Sequence, residues 1–272
     1  MNVVQAVVLG VVEGVTEFLP VSSTGHLLIT EKLLGLEQGD DLIGFTAVVQ
    51  VGAILAAVVF FSKDILALVT AFFGGLTSSS GRRDPEFRFA LAVGVGSLPI
   101  AVVGFALRNV IKSIDKQLVT IALGLIIFSA VFVVAERRGT QDRSERSLTV
   151  LDGLLIGLAQ CIALVPGVSR SGATISAGLL RGLDRVSATR LSFLLGIPAL
   201  LAAGAYELKD ASAGSTGPGT ILLATVVAFG VAYAVIAFLL RFVARHPITA
   251  FVPYRVALGV VVLAVVGFQA AT

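Results

Sequence analysis

The sequence predicts an all-α polytopic membrane protein with six transmembrane helices, two re-entrant helix pairs and an inverted-topology repeat. Only 14% of the 272 residues are charged and 56% are hydrophobic, whereas a soluble protein carries roughly 25% charged residues. The apolar residues also recur in runs of about 20, the length that crosses a bilayer as a helix. These runs lack the apolar–polar alternation of a membrane barrel, so helices are the predicted spanning elements.

Six of the apolar runs predict transmembrane helices, and short polar loops separate them. The amino-terminal run lacks the basic segment of a cleavable signal peptide, so we expect it to belong to the mature fold. The loops include 78–86, 137–147 and 209–219. The predicted spans are 42–61, 87–107, 117–136, 186–207, 219–242 and 250–270.

Two further apolar regions, 2–36 and 148–183, are each interrupted by a polar break. The first break runs from Pro20 to Gly25, and the second is PGVSRSG at 166–172. The apolar run on either side of each break is shorter than a transmembrane span, which needs about 20 residues. Both regions are therefore predicted to enter and leave the membrane on the same side. Non-helical backbone at that depth is tolerated only where it is buried in protein or lines a wet cavity. The breaks therefore indicate a functional site.

The two broken regions are similar to each other, which predicts an internal repeat. Nine positions between Pro20 and Phe60 are identical after a shift of 146 residues, although chance matching among alanines and leucines is the alternative explanation. We therefore expect one membrane domain, 1–272, with inverted halves at about 1–136 and 148–272. The shift superposes Pro20 on Pro166, Ser23 on Ser169, Thr24 on Arg170 and the segment 53–60 on 199–206.

Lysine and arginine are distributed unevenly over the predicted loops. If the first re-entrant pair enters from one side, that side receives five of them and the opposite side thirteen. Basic residues accumulate on the cytoplasmic side, so both termini are predicted outside, with the first break open to the outside and the second to the cytoplasm. Basic loops also explain the net charge of +3, so no nucleic-acid partner is expected. The five residues are Lys32, Arg108, Lys112, Lys116 and Lys209.

Acidic and hydroxyl side chains surround the first break. Glu13 and Glu17 are one helical turn apart, and carboxylates at bilayer depth are usually functional and partnered. A divalent cation such as Mg²⁺ or Ca²⁺ would bind them together with phosphate oxygens, and a proton relay is the alternative. His26 follows Ser23 by three residues, within reach as a general base, although it could instead satisfy a buried carbonyl. The other candidate substrate-binding residues here are Ser22, Thr24 and Gly25, at a predicted helix start that favours anions. Capping of the break or bonding back to the backbone is the alternative role for Ser22 and Thr24.

The second break contributes a positively charged side chain. Arg170 can pair with two oxygens of a phosphate group at once, or it could neutralise Glu17 as a buried ion pair. Ser169 and Ser171 flank it as further candidate substrate-binding residues, and capping of the helix end is the alternative role for Ser171. The carboxylate pair, serine, histidine and arginine at two helix starts together indicate an anion-binding site with a nucleophile.

The segments EGVTEFLPVSSTGHLL and PGVSRSGATI resemble the two signature segments of the undecaprenyl-diphosphate phosphatases of the bacitracin-resistance type. The resemblance covers the whole chain in length, number of spans and placement of loops. It implies a multi-pass enzyme of the bacterial cell (inner) membrane that hydrolyses undecaprenyl diphosphate, the polyprenyl lipid substrate, and thereby recycles the lipid carrier of peptidoglycan synthesis and supports bacitracin resistance. It places the family's acidic pair on Glu13 and Glu17, the proposed nucleophile on Ser23, the histidine on His26 and the arginine on Arg170.

The expected mechanism combines this resemblance with the chemistry of the breaks. Ser23 would attack the terminal phosphorus with His26 as the base, while Glu13 and Glu17 hold a divalent cation and Arg170 neutralises the remaining charge. A water molecule activated by His26 or by the metal is the alternative nucleophile.

A transporter or flippase of a phosphorylated polyprenyl lipid is the alternative from another functional class. An inverted repeat with two breaks facing opposite sides is what such a carrier would show. A serine–histidine pair beside two carboxylates favours the enzyme, because a carrier has no need of it. A proton-coupled ion channel would need a continuous polar path, and the sequence shows none beyond the breaks. The sequence leaves the oligomeric state open, with a homodimer among the alternatives.

Overall fold

A computed structural model describes residues 1–37, 39–108, 110–111, 117–208 and 216–271. Within these residues the chain forms eleven α-helices and no β-strand, which confirms the all-α class. The helices in chain order are α1 (Val3–Thr16), α2 (Ser23–Leu33), α3 (Asp40–Phe60), α4 (Ser62–Thr77), α5 (Pro85–Ala106), α6 (Leu118–Arg138), α7 (Val150–Gln160), α8 (Arg170–Leu180), α9 (Arg185–Leu208), α10 (Pro218–Val243) and α11 (Val252–Ala271).

Six of these helices, α3, α5, α6, α9, α10 and α11, are long and apolar enough to cross a membrane. Their ends lie within two residues of the predicted spans, so the six predictions are confirmed and the chain is a multi-pass membrane protein. Length and composition suffice to locate such helices because each satisfies its own backbone hydrogen bonds in lipid. The spanning segments are Asp41–Phe60, Pro85–Ala106, Leu118–Arg138, Arg185–Tyr206, Pro218–Val243 and Ile248–Gln269.

Helix α4 has no counterpart in the sequence prediction, which left 62–77 unassigned. It follows α3 after one residue, Phe61, whose side chain is fully buried. The Phe61 N–H donates to the Ala57 carbonyl oxygen, and the Phe61 carbonyl oxygen accepts from the Ile65 N–H. Hydrogen bonding continues through this corner without a proline or glycine, so the polar run from Ser62 to Asp64, with Asp64 in the first turn of α4, is the sequence signal that a new helix begins.

Part of the predicted topology lies outside the described residues. This applies to Lys112, Lys116 and Lys209 and to most of the loop 209–219. The placement of both termini outside the membrane stays a prediction, and so does the homodimer.

The two broken regions contain helices that are too short to span a bilayer. Helix α1 has 14 residues, and α2, α7 and α8 have 11 each, against about 20 for a span. A serine with positive φ precedes the second helix of each region, Ser22 at 74° and Ser169 at 76°. A glycine with positive φ lies after the end of the same helices, Gly35 at 66° and Gly182 at 83°. The two regions therefore share their local backbone geometry.

These matching positions are 147 residues apart, so the predicted register of 146 is wrong for the breaks. The same spacing of 147 relates Asn2 and Thr149, each of which caps the first helix of its region through a reciprocal capping box. Pro20 lies two residues before Ser22, whereas Pro166 lies three residues before Ser169. A register that aligns the two prolines is therefore one residue shorter than the spacing of 147. In local backbone geometry, Ser22 and not Ser23 matches Ser169, and Ser23 occupies the position of Arg170 at the helix start.

Small residues allow close helix packing between the two halves of the chain. A Cβ atom at Gly10 or Gly14 of α1 would collide with the carbonyl oxygen of Ala224 or Ala228 in α10. In the same way, a Cβ atom at Gly157 of α7 would collide with the Gly96 carbonyl oxygen in α5. Such small-residue contacts let membrane helices approach closely. Because α1 packs on α10 and α7 packs on α5, each half completes its packing with a helix of the other.

Asp152 anchors the start of the second broken region. Its carboxylate accepts hydrogen bonds from Arg143, Arg181 and both the hydroxyl and the N–H of Thr149, and its side chain is 1% exposed. Burial would raise the pKa of Asp152, but these donors outweigh it and hold the pKa well below its ordinary value. The ionised carboxylate thus fixes the beginning of α7, and through it the second break.

Candidate active site

The two breaks meet at a hydrogen-bonded chain of three side chains. The Ser23 hydroxyl donates to Glu17 Oε2 at 2.7 Å, and Arg170 Nη2 donates to Glu17 Oε1 at 3.3 Å. Arg170 lies 153 positions from Glu17 along the sequence, so only the fold brings the two together. The Glu17 carboxylate therefore bridges a hydroxyl of the first break and a guanidinium of the second.

The start of α2 determines where the Ser23 hydroxyl lies. Ser22 has positive φ, which is uncommon for a residue with a Cβ atom, and it turns the chain so that α2 begins at Ser23. The Ser22 side chain makes no capping hydrogen bond to this helix. The first N–H groups of α2 therefore lack a side-chain cap, and such groups favour a bound anion.

Arg170 lies along α9 and retains unused hydrogen-bond donors. Its Nη1 donates to the Ser192 carbonyl oxygen at 3.4 Å, and its buried Nε has no hydrogen-bond partner among the residues that the structure describes. One turn further along α9, Gly196 leaves space for the guanidinium, because a Cβ atom there would overlap it. Its two hydrogen bonds are long, at 3.3 and 3.4 Å. The guanidinium therefore lies beside Glu17 with hydrogen-bond donors still available for a ligand.

Glu13 and Glu17 both lie at the buried end of α1. Their residues are 0% and 7% exposed, and the Glu17 N–H donates to the Glu13 carbonyl oxygen one turn earlier. No group of three or more His, Cys, Asp or Glu side chains forms a metal-type cluster among the described residues. The chain thus offers two carboxylates at this position, and further ligands to a cation would have to come from elsewhere.

The His26 ring makes its hydrogen bonds to Ser22 and Tyr254. Nδ1 lies 2.8 Å from the Ser22 carbonyl oxygen, and Nε2 lies 2.5 Å from the Tyr254 hydroxyl. The three-residue spacing suggested a contact with Ser23. However, the Ser22 carbonyl, one turn before His26, takes the ring N–H, and Glu17 takes the Ser23 hydroxyl. Glu17 is therefore the hydrogen-bond acceptor of Ser23 in this conformation.

Ser169 and Ser171 take part in an internal hydrogen-bond network between the breaks. The Ser171 hydroxyl donates to the Leu19 carbonyl oxygen and lies 3.1 Å from Ser169 Oγ, which in turn accepts from the Gly172 N–H. Ser171 is 0% exposed. Their hydroxyls therefore hold the second break against the first.

Thr24 and Gly25, the remaining predicted residues, lie in the first turn of α2 with different surroundings. Thr24 is exposed, whereas Gly25 is buried. A Cβ atom at Gly25 would lie 2.8 Å from Ile121 Cγ2, so glycine allows α2 to approach α6 closely.

Two residues that the prediction left outside the site, Tyr254 and Arg255, reach it from the start of α11. Tyr254 contacts His26, and Arg255 donates to the Pro20 carbonyl oxygen in the first break and to the Gly167 and Val168 carbonyl oxygens in the second. The sequence feature that could have identified Arg255 is its charge inside an apolar span, because such residues are rare and usually functional.

Comparison with known proteins shows similarity over nearly the whole chain. The model of the family described as "Bacitracin resistance protein BacA" matches residues 6–261. Undecaprenyl-diphosphatase 3 of Frankia casuarinae is 52% identical over 268 residues, 97% of this chain and 96% of the relative. Undecaprenyl-diphosphatase of Acidothermus cellulolyticus is 54% identical over 267 residues, with the same shares. Undecaprenyl-diphosphatase 1 of Streptomyces coelicolor is 51% identical over 269 residues, 98% of this chain and 97% of the relative.

Proposed function

This chain belongs to the bacitracin resistance protein BacA family, and we propose that its two breaks form the active site at which it hydrolyses undecaprenyl diphosphate to undecaprenyl phosphate and phosphate. The family and the names of relatives at 52% and 54% identity support this activity. The hydrogen-bonded chain from Ser23 through Glu17 to Arg170 is the observation that supports the site. The product is the lipid carrier of peptidoglycan synthesis, and removal of the diphosphate that bacitracin binds supports resistance.

The nucleophile of the proposed reaction is Ser23. Its Oγ forms a bond to the terminal phosphorus while its proton passes to Glu17 Oε2, the acceptor 2.7 Å away. The anhydride P–O bond breaks, and undecaprenyl phosphate leaves with the electron pair. A water molecule then attacks the phosphorus of the phosphoserine, the Ser23 Oγ–P bond breaks and phosphate is released, and Glu17 returns the proton to Ser23 Oγ. His26 is the base for this water, because Glu17 has already accepted the serine proton.

Charge neutralisation comes from the second break and from the helix start. Arg170 has an unused buried Nε–H and long contacts on its other nitrogens, so it can turn its donors to the diphosphate. The uncapped N–H groups at the start of α2 stabilise further negative charge. Positioning and electrostatic stabilisation of this kind provide most of the rate in phosphoryl transfer.

A divalent cation, Mg²⁺ or Ca²⁺, is proposed as the cofactor. Glu13 and Glu17 would hold it, and the donor set fits a hard cation because Mg²⁺ is commonly bound by one or two carboxylates together with substrate phosphates. The two carboxylates, buried at one end of α1, leave the other ligand positions to diphosphate oxygens and water. When bound, the cation supplies positive charge to the diphosphate.

We also propose that α1–α2 and α7–α8 are re-entrant pairs of an inverted-topology repeat with halves at about 1–136 and 148–272 in one membrane domain. The capping boxes and positive-φ residues that recur at a spacing of 147 support the repeat. In this topology both termini lie outside, the site opens to the outer side of the membrane, and the prenyl tail lies among the lipid-facing helices.

Phosphate release from a prenyl diphosphate by the detergent-purified protein tests the activity. We expect release with Mg²⁺ or Ca²⁺ and its loss in EDTA, with recovery when the cation is added back. Full activity in EDTA would contradict the cofactor. No release from a folded protein under any of these conditions would contradict the enzyme, and lipid transport in liposomes would then test the flippase alternative.

Gly196→Ala is expected to lower phosphate release about a hundredfold, because a misplacement of about 1 Å at a catalytic group can cost that much. The new methyl group would occupy the space of the Arg170 guanidinium and push it away from Glu17. Initial rates at saturating substrate measure the effect.

Gly94→Ala is the matched control, since it lies in another spanning helix, α5, and its Cβ atom would meet nothing within 4 Å. It should leave both the rate and the melting temperature unchanged. Wild-type rates in Gly196→Ala would show that the position of Arg170 does not limit the reaction.

A further inference from the structure

Tyr254 brings a partly exposed phenol to His26 from the far end of the sequence. Its hydroxyl lies 2.5 Å from His26 Nε2, and the two residues are 228 positions apart. The rings are nearly parallel, with an interplanar angle of 15° and centroids 5.6 Å apart. Tyr254 is 49% exposed, while the following residue, Arg255, is fully buried and bonded to both breaks. The buried neighbour thus fixes the backbone from which the tyrosine reaches His26.

The partners of the ring define its tautomer when it is neutral. The Ser22 carbonyl oxygen can only accept, so the nearby Nδ1 must carry the proton. Nε2 is then the ring's only acceptor, and the Tyr254 hydroxyl donates to it. The Ser22 carbonyl therefore fixes the tautomer and anchors His26 to its own helix, while the tyrosine hydroxyl fixes the direction of the nitrogen that can take up a proton.

We propose that Tyr254 holds the His26 ring through Nε2 and relays to it the proton of the attacking water: the phenol oxygen accepts the water's proton as the phenol gives its own proton to Nε2. This inference rests on the proposed function, in which His26 is the base for the attacking water. The second nitrogen of a catalytic or metal-binding histidine is usually fixed by a hydrogen bond. Here that bond is made by Nδ1 to Ser22, and the Tyr254 hydroxyl lies between the reactive nitrogen and the water.

The kinetic test compares Tyr254→Phe, which keeps the ring and removes the hydroxyl, with the wild type. We expect kcat to fall about tenfold, as for loss of one orienting hydrogen bond, with little change in KM. Tyr233→Phe is the matched control, because Tyr233 is also exposed, at 42%, and its ring packs against the rings of Phe60 and Phe229. It should leave kcat and KM unchanged.

A double variant separates positioning through His26 from a general structural role. If Tyr254 acts through His26, then Tyr254→Phe should cost nothing further in a His26→Ala background. An equal loss in both backgrounds would overturn the inference, and so would an unchanged kcat in Tyr254→Phe. Unchanged activity in His26→Ala alone would instead contradict the role of His26 in the proposed function, so the two failures are distinguishable.

A spectroscopic test needs no turnover. The chain has only two histidines, and His246 is exposed with its ring stacked on Phe242, so His246→Gln leaves His26 as the sole histidine signal. In this protein, ¹⁵N spectra should show a protonated Nδ1 and a hydrogen-bonded, unprotonated Nε2. Adding Tyr254→Phe should shift the Nε2 signal, because the hydrogen bond to that nitrogen is lost. Identical spectra with and without the hydroxyl would overturn the inference.

Discussion

Replacing Ser23 with alanine is expected to lower phosphate release at least about a thousandfold, as for loss of a covalent nucleophile. The substitution removes the atom proposed to attack phosphorus and leaves Glu17 and Arg170 in place. Single-turnover release of phosphate from a prenyl diphosphate, normalised to folded protein, measures the effect. Ser97→Ala is a suitable control, since this serine also lies in a membrane helix and its hydroxyl donates to the Val93 carbonyl oxygen of its own helix.

The double variant Ser23→Ala/Glu17→Gln tests whether the two residues act together. Ser23 donates to Glu17, so if Glu17 receives the serine proton, the double variant should be no slower than the slower single variant. If the losses multiply, Glu17 acts only through Arg170 or the cation. Near-normal turnover by Ser23→Ala would contradict the covalent route and favour a water nucleophile in the same site.

The spanning helices were predictable because their formation depends on local properties. In lipid, a long run of apolar residues has few alternatives to a helix, and the six spans agree within two residues. Helix α4 shows the limit of this reasoning. Only the polar run from Ser62 to Asp64 separates its apolar residues from those of α3, and the corner at Phe61 is made by tertiary packing of a buried ring without a proline or glycine to mark it.

The components of the candidate site were predictable, and its contacts were less so. The two breaks and the residue types around them identified Ser23, Glu17 and Arg170, which the fold joins in one hydrogen-bonded chain. The acceptor of the Ser23 hydroxyl could not be deduced, because Glu17 and His26 lie at equally plausible spacings from it. Tyr254 was missed for a related reason. Nothing near it in sequence relates it to a residue 228 positions away.

Arg255 illustrates how much of the site depends on such distant contacts. It is 0% exposed, and no carboxylate in the described part of the chain forms an ion pair with it. Its charge is instead surrounded by backbone carbonyl oxygens, and the guanidinium carbon lies 4.8 Å from the centre of the Phe132 ring. The carbonyl oxygens, at 2.9 Å for Pro20, 3.0 Å for Gly167 and 3.2 Å for Val168, come from both breaks. One side chain thus holds the two breaks together.

Arg255→Met is therefore expected to destabilise the protein by about 3 kcal/mol or more, because buried carbonyl groups lose their donors. Thermal unfolding in detergent measures the effect, and phosphate release should be lost together with stability. Arg241→Met is the control. Arg241 is exposed at the end of α10, so this change should stay within about 0.5 kcal/mol.

Arg255→Lys separates the shape of the guanidinium from its charge. A lysine ammonium is a compact point charge without the planar fork of arginine, so it cannot reach the carbonyl oxygens of both breaks at once. We expect this variant to unfold at a higher temperature than Arg255→Met and still to lose most of its activity, because Ser23 and Arg170 belong to different breaks and must be held at a fixed separation. A stable and fully active Arg255→Lys protein would show that contacts such as that between Ser171 and Leu19 suffice to hold the breaks together.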